Sequence, residues 1–148
     1  MKYMLIMRDT EEAYQASKEV PFEQIVEAMG RYNEALIEAG VSAGGEGLAP
    51  PEEGFVVDFS ADPPLVTDGP YGETKEPFNG FWILEVSSRE EAEEWARRCP
   101  LGPGSKLEVR RMPSIDEFPE MVERAEKEER REGPETQQEG PEAQQARS

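Results

Sequence analysis

Residues 79–100 read NGFWILEVSSREEAEEWARRCP, and this stretch decides the fold. FWILEV at 81–86 is a compact apolar run of aromatic and β-branched side chains, which favours a strand. Ser88 precedes Glu91 by three residues, the spacing of a capping box at a helix start. The helix then turns Ala92, Trp95, Ala96 and Cys99 inward. It stops at Pro100, because a proline disfavours helical backbone in the residue before it. LEVRRM at 107–112 alternates and reads as the next strand.

The same β-α-β order lies upstream. KYMLIM at 2–7 is apolar except for Lys2, as suits a buried central strand. Residues 8–20 are polar and irregular. Pro21 opens a helix, where its missing N–H costs little. Phe22, Ile25, Val26, Met29, Tyr32, Asn33 and Leu36 fall on one face of it and Glu23, Glu27, Arg31, Glu34 and Glu38 on the other. Gly40 ends it. VSAGGEGL at 41–48 reads as a strand whose glycines signal a bulge or a close backbone approach. FVVDF at 55–59 and LVT at 65–67 form an inserted hairpin that turns through Ala61 to Pro64. The class is α+β: a ferredoxin-like split β-α-β with an inserted hairpin. Two helices cover only one face of such a sheet. The strands are too apolar for a solvated second face, so a homodimer joined through the sheets is expected.

Composition changes after Met112. Residues 113–131 suit a marginal charged helix with a weak apolar patch at Phe118, Met121 and Val122. Residues 132–148, EGPETQQEGPEAQQARS, have too little apolar surface to offset ordering and read as a disordered acidic tail. The formal net charge is −17, with −11 in residues 1–112 and −6 in the remainder. No cluster of Lys and Arg is present to track phosphates or an anionic membrane, so neither nucleic acid nor membrane is an expected partner. No apolar run approaches the ~20 residues of a membrane span, and the N-terminus lacks the features of a signal peptide; a cytoplasmic protein is expected. Cys99 is the single cysteine and there is no histidine, which removes intrachain disulfides, imidazole catalysis and the usual zinc and haem ligands. No cofactor is implied.

Several motifs in order resemble a known family: MKYMLIM at 1–7, GGEGLAPP at 44–51, VTDGPYGETKE at 66–76, NGFWILEV at 79–86, EEAEEWARRCP at 90–100 and LEVRRM at 107–112. They are similar to the YCII-related family over residues 1–112, and more closely to its DGPF subgroup, with Tyr71 in place of the phenylalanine. The resemblance implies a dimeric ferredoxin-like α/β barrel. Some YCII-type proteins are read as enzymes from a His–Asp pair in a cleft, and that pair does not carry over to a chain without histidine. DGPF-type proteins are often encoded beside extracytoplasmic-function sigma factors, which implies a regulatory or accessory role with a protein partner.

The candidate site residues each have a structural and a functional reading. Asp68-Gly69 is a strong turn signal; alternatively its loop presents Asp68 as an acid or base, with Lys75 nearby to hold it ionised. Glu73, Lys75 and Glu76 form a solvated charged loop, or Lys75 binds an anion. Glu46, among Gly44, Gly45 and Gly47, is an exposed edge residue or a carboxylate against a ligand. Arg8 and Asp9 form a surface ion pair, or Arg8 binds a ligand at a strand end. Tyr32, Phe81 and Trp82 line a pocket or fill the core, Tyr71 offers a further aromatic contact, and Cys99 is a small buried thiol. Two functions follow. One is a small-ligand-binding or accessory module using Lys75, Tyr71, Tyr32 and Arg8. The other is an isomerase- or lyase-type enzyme that moves a proton with Asp68 or Glu46.

Overall fold

The computed structural model describes residues 1–72 and 75–145, the side chains of 134–145 excepted. Met1–Met112 and Pro113–Ser148 form two compact units.

In the first unit the elements are β1 (Lys2–Asp9), α1 (Glu11–Ser17), α2 (Phe22–Glu38), β2 (Ser42–Gly47), β3 (Phe55–Asp58), β4 (Leu65–Asp68), β5 (Phe78–Glu85), α3 (Arg89–Arg97) and β6 (Ser105–Met112). The main sheet has the order β2-β5-β1-β6, and β3 and β4 form a separate two-stranded sheet. β1 pairs antiparallel with both β5 and β6, and β2 pairs antiparallel with β5. The strand β5 therefore lies between β1 and β2 although α2 joins those two in sequence. This is the split β-α-β arrangement expected from the element order.

Local chemistry fixes the helices. Ser88 caps α3 by accepting from the Glu91 amide at 3.1 Å. The Glu91 carboxylate reaches back to the amide and hydroxyl of Ser87, at 3.0 and 2.5 Å, rather than to the Ser88 amide. Those bonds favour the charged form and hold the Glu91 carboxyl below its ordinary range. At the end of α2, Gly40 takes φ 71°. The Val41 amide donates to Leu36 O and the Gly40 amide to Ile37 O, both bonds of a Schellman motif.

The helix α1 was not foreseen in the polar stretch 8–20. Thr10 caps it by accepting from the Ala13 amide at 3.1 Å, and Glu11 and Glu12 occupy the first turn, where a carboxylate suits the helix dipole. With Ala13 at the third position, it lacks the Glu or Gln that would complete a recognisable capping box. In β2 the register shifts between Ser42 and Gly44, which realises the expected bulge. Gly45 is a close approach: a Cβ there would lie 2.9 Å from the Phe81 carbonyl oxygen.

The core lies between the sheet and the helices. Tyr3, Leu5, Leu84 and Val86 from β1, β5 and its end pack with Tyr32, Leu36, Val41 and Ala92, and Trp82, Trp95, Ala96, Cys99, Leu107 and Val109 border them. Only the second half of α2 joins this core. Phe22 is 77% and Val26 is 52% exposed, although their spacing places them on the apolar face. Helical periodicity marks a face, but how far the sheet extends beneath it is a tertiary property.

The second unit comprises a 3-10 turn (Ile115–Glu117) and α4 (Phe118–Gln145). Ser114 and Glu117 form a capping box before it. The helical backbone continues past position 131 through Glu, Gln and Ala, residues of high intrinsic helix propensity, although Gly133, Pro134, Gly140 and Pro141 oppose it. Phe118, Met121 and Val122 are exposed along its first turns.

Leu36 is 1% exposed, so Leu36→Ala removes core volume and is expected to lower the unfolding free energy by about 2–5 kcal/mol in urea titration. Val26→Ala, on the exposed half of the same helix, is expected to change it by about 0.5 kcal/mol or less, apart from propensity.

Candidate functional site: the open face of the sheet

Side chains alternate across a strand, and cross-strand partners share a face. With Tyr3 and Leu5 facing the helices, Met4, Ile6 and Arg8 face the other way. The registers Met4↔Ile83 and Ile6↔Phe81 add two side chains from β5 to that face. Met4↔Arg110 and Ile6↔Glu108 add two from β6, and Glu46↔Phe81 adds Glu46 from the edge strand β2. None of Met4, Ile6, Phe81 and Ile83 belongs to the core cluster on the other side. The centre of this face is apolar and Ile6 is only 4% exposed. Adjacent aromatics thus divide between the two sides: Trp82 borders the core and Phe81 does not.

Charge gathers at the end of the face nearest Arg8. The Arg8 Nε lies 3.0 Å from Glu108 Oε1, and Nη1 donates to the Glu76 carbonyl at 3.2 Å. Its guanidinium carbon sits 6.0 Å from the centre of the Phe78 ring, within reach of a cation–π attraction. The Glu76 carboxylate in turn lies 2.5 Å from Lys106 Nζ. A half-exposed pair such as Arg8–Glu108 contributes about 1 kcal/mol or less, so an incoming anion can displace Glu108 at small cost. The remaining guanidinium N–H groups suit bidentate recognition of a carboxylate or phosphate.

Arg8 and Asp9 do not pair with one another, because alternation turns them to opposite faces. Asp9 instead accepts from Ser105 Oγ at 2.8 Å and from Asn79 Nδ2 at 3.1 Å. These bonds tie the end of β1 to both neighbouring strands.

The expected site residues are thus divided. Arg8 and Glu46 lie on the open face. Asp68 ends β4 in the second sheet, and it, Tyr71 and Lys75 are exposed. Glu73 lies outside the described residues. Among the described residues of the DGPYGETKE loop, Glu76 meets Arg8 and Lys106 of the open face. Sequence reading gave Glu76 only as part of a solvated charged loop and missed Lys106 and Glu108. Alternation along LEVRRM could have placed Glu108, whereas the crossing of Glu76 toward β6 has no local signal. Among the described residues no group of three or more acidic, cysteine or histidine side chains could hold a metal. No helix there is long and apolar enough to cross a membrane.

Tyr32 belongs to the core, on the far side of the sheet from Arg8. It is 5% exposed, its hydroxyl donates to the Trp95 carbonyl at 2.8 Å, and its ring meets Trp82 edge-on at 5.6 Å. Burial pushes its phenol well above the ordinary range, with Cys99 adding to the rise.

A family model for the YCII-related domain matches residues 1–115. The chain belongs to the YCII-related family. A relative in Rhizobium meliloti, named only as an uncharacterised protein, is 28% identical over 97 residues, covering 66% of this chain and 78% of its own. In this YCII-related domain no histidine is present, so the polar groups on the open face are arginine, lysine and glutamate.

Burial also pushes the Cys99 thiol from 9.0 up to about 12. Between those values the unfolded chain releases the thiol proton and the folded chain keeps it. Stability is therefore full below the unfolded value and falls as pH rises through the window. Urea midpoints are expected to drop from pH 9 toward pH 11, and Cys99→Ala is expected to make that drop shallower. An equal slope in both proteins would assign the loss to Tyr32 and other groups.

Proposed function

We propose that this domain is a homodimeric small-ligand-binding module, closed sheet to sheet, with its site at the Arg8 end of the open face. The observation that supports this reading is the face itself: partly exposed Met4, Phe81 and Ile83 surround the buried Ile6 in an apolar centre outside the core cluster, and a charged rim borders it. An apolar surface rimmed by polar groups suits a recognition site. Pairing two such faces removes the apolar centre from water and leaves the charged end as a polar mouth. Arg8 then takes the anionic part of a ligand, Phe78 offers a flat apolar wall, and Glu46 supplies a second polar contact. Lys75 and Tyr71, on the neighbouring loop, complete the set from outside.

The turn Asp68-Gly69-Pro70-Tyr71 supports placing the chain in the DGPF subgroup. With that placement comes an accessory or regulatory role in the cytoplasm, beside a protein partner of the kind that accompanies extracytoplasmic-function sigma factors. A second reading, proton transfer by Glu46 or Asp68, is favoured by the position of Glu46 opposite Phe81, where a carbon acid bound on the face meets a carboxylate.

Sedimentation at micromolar concentration is expected to give a dimer, and Ile83→Asp a folded monomer; a parent protein that sediments as a monomer removes the dimer. In a thermal-shift screen of metabolites, anionic compounds are expected to raise the melting temperature of the parent but not of Arg8→Gln. Equal shifts in both would take the site away from Arg8. Under the enzymatic reading a hit compound is turned over by the parent, and Glu46→Gln or Asp68→Asn binds it without turnover.

A further inference from the structure

We infer that the β3–β4 hairpin is an arm that lies against a second copy of the chain and sets Asp68 of one protomer against Arg110 of the other. This rests on the reading of the open face as the dimer interface and adds a residue from the partner to it.

The hairpin cannot be stable on its own account. It has two strands of four residues each, and a lone two-stranded ribbon is marginal in water unless a further strand or a packed face supports it. Yet its side chains are open: Phe55 is 67%, Val66 59% and Val57 38% exposed. The registers Phe55↔Asp68 and Val57↔Val66 place these three and Asp68 on a single face of the ribbon. Whatever covers the apolar side chains therefore also meets the Asp68 carboxylate.

A carboxylate drawn into an interface needs a cation or donors there. Residues 1–112 carry −11, so two copies repel unless such matches are local. The open face offers four cations, of which Lys2, the register partner of Glu85 and Met112, lies at the end of β1 away from Arg8. Arg8 is engaged by Glu108 and Lys106 by Glu76. Arg110, the register partner of Met4, is exposed, and among the described residues neither its guanidinium nor the Asp68 carboxylate has a hydrogen bond or ion pair. The acidic, apolar ribbon face and the apolar face with one uncommitted arginine are complementary. In a two-fold dimer the match occurs twice.

The test uses the full chain. Asp68→Cys and Arg110→Cys proteins are mixed, allowed to exchange, and treated with a short bis-maleimide, with the parent, whose partly exposed Cys99 sets the background, as control. The expected result is a covalent dimer formed mainly in the mixture and not with either variant alone. In parallel, Arg110→Asp is expected to weaken dimerisation at least tenfold by sedimentation, and Asp68→Lys added to it to restore most of the loss. A parent that is monomeric overturns the dimer reading and this inference with it. A parent that dimerises, with neither cross-link in the mixture nor rescue by the charge swap, overturns the arm alone.

Discussion

The fold depends on β1 being hydrogen-bonded along both edges. Its pairing with β5 on one side and β6 on the other joins strands from the two β-α-β halves into a single sheet. Because side chains alternate, the register also settles which residues meet the helices and which meet the opposite side. A slip of one residue would move Leu5 out of the core and drive Arg8 into it. Core and site are thus two results of a single pairing. Leu5 is fully buried and Arg8 half-exposed, three positions along the strand.

The two faces are built to different rules. On the helix side, polar groups are committed: the Tyr32 hydroxyl to the Trp95 carbonyl, and the Trp82 indole N–H to Asn33 at 2.8 Å. Burial without such partners would cost more than the contacts return. On the open side the ionic contacts are half-exposed and individually weak, so they can be remade at little expense. A surface intended to receive a ligand or another protein requires that property.

Much of this was legible in the chain. The runs KYMLIM and FWILEV, the Ser88 cap and Gly40 each act through local sterics or hydrogen bonds, and each appears where expected. Non-local features were harder to read. Thr10 starts a helix without a full capping box. Phe22 and Val26 have helical spacing, but the sheet does not extend beneath them. Asp68 read first as a turn residue and only second as an acid or base, while Glu76, eight positions later, reaches Arg8 and Lys106. That contact joins the residues just before β5 to β1 and β6, and periodicity carries no information about it. The sequence motif is better at marking kinship than at marking contacts.

The strand β2 forms one border of the main sheet and reads SAGGEG. Nearly bare backbone at a sheet border is a hazard, since its free N–H and C=O groups can template the addition of a strand from another molecule. Glycine also weakens the register that would resist such growth. Glu46 is the only charged side chain along this border strand, and the acidic balance of the whole unit reinforces it at a distance. The negative charge of this protein therefore has a colloidal role beside any recognition role. It keeps the unguarded border of one molecule away from that of the next.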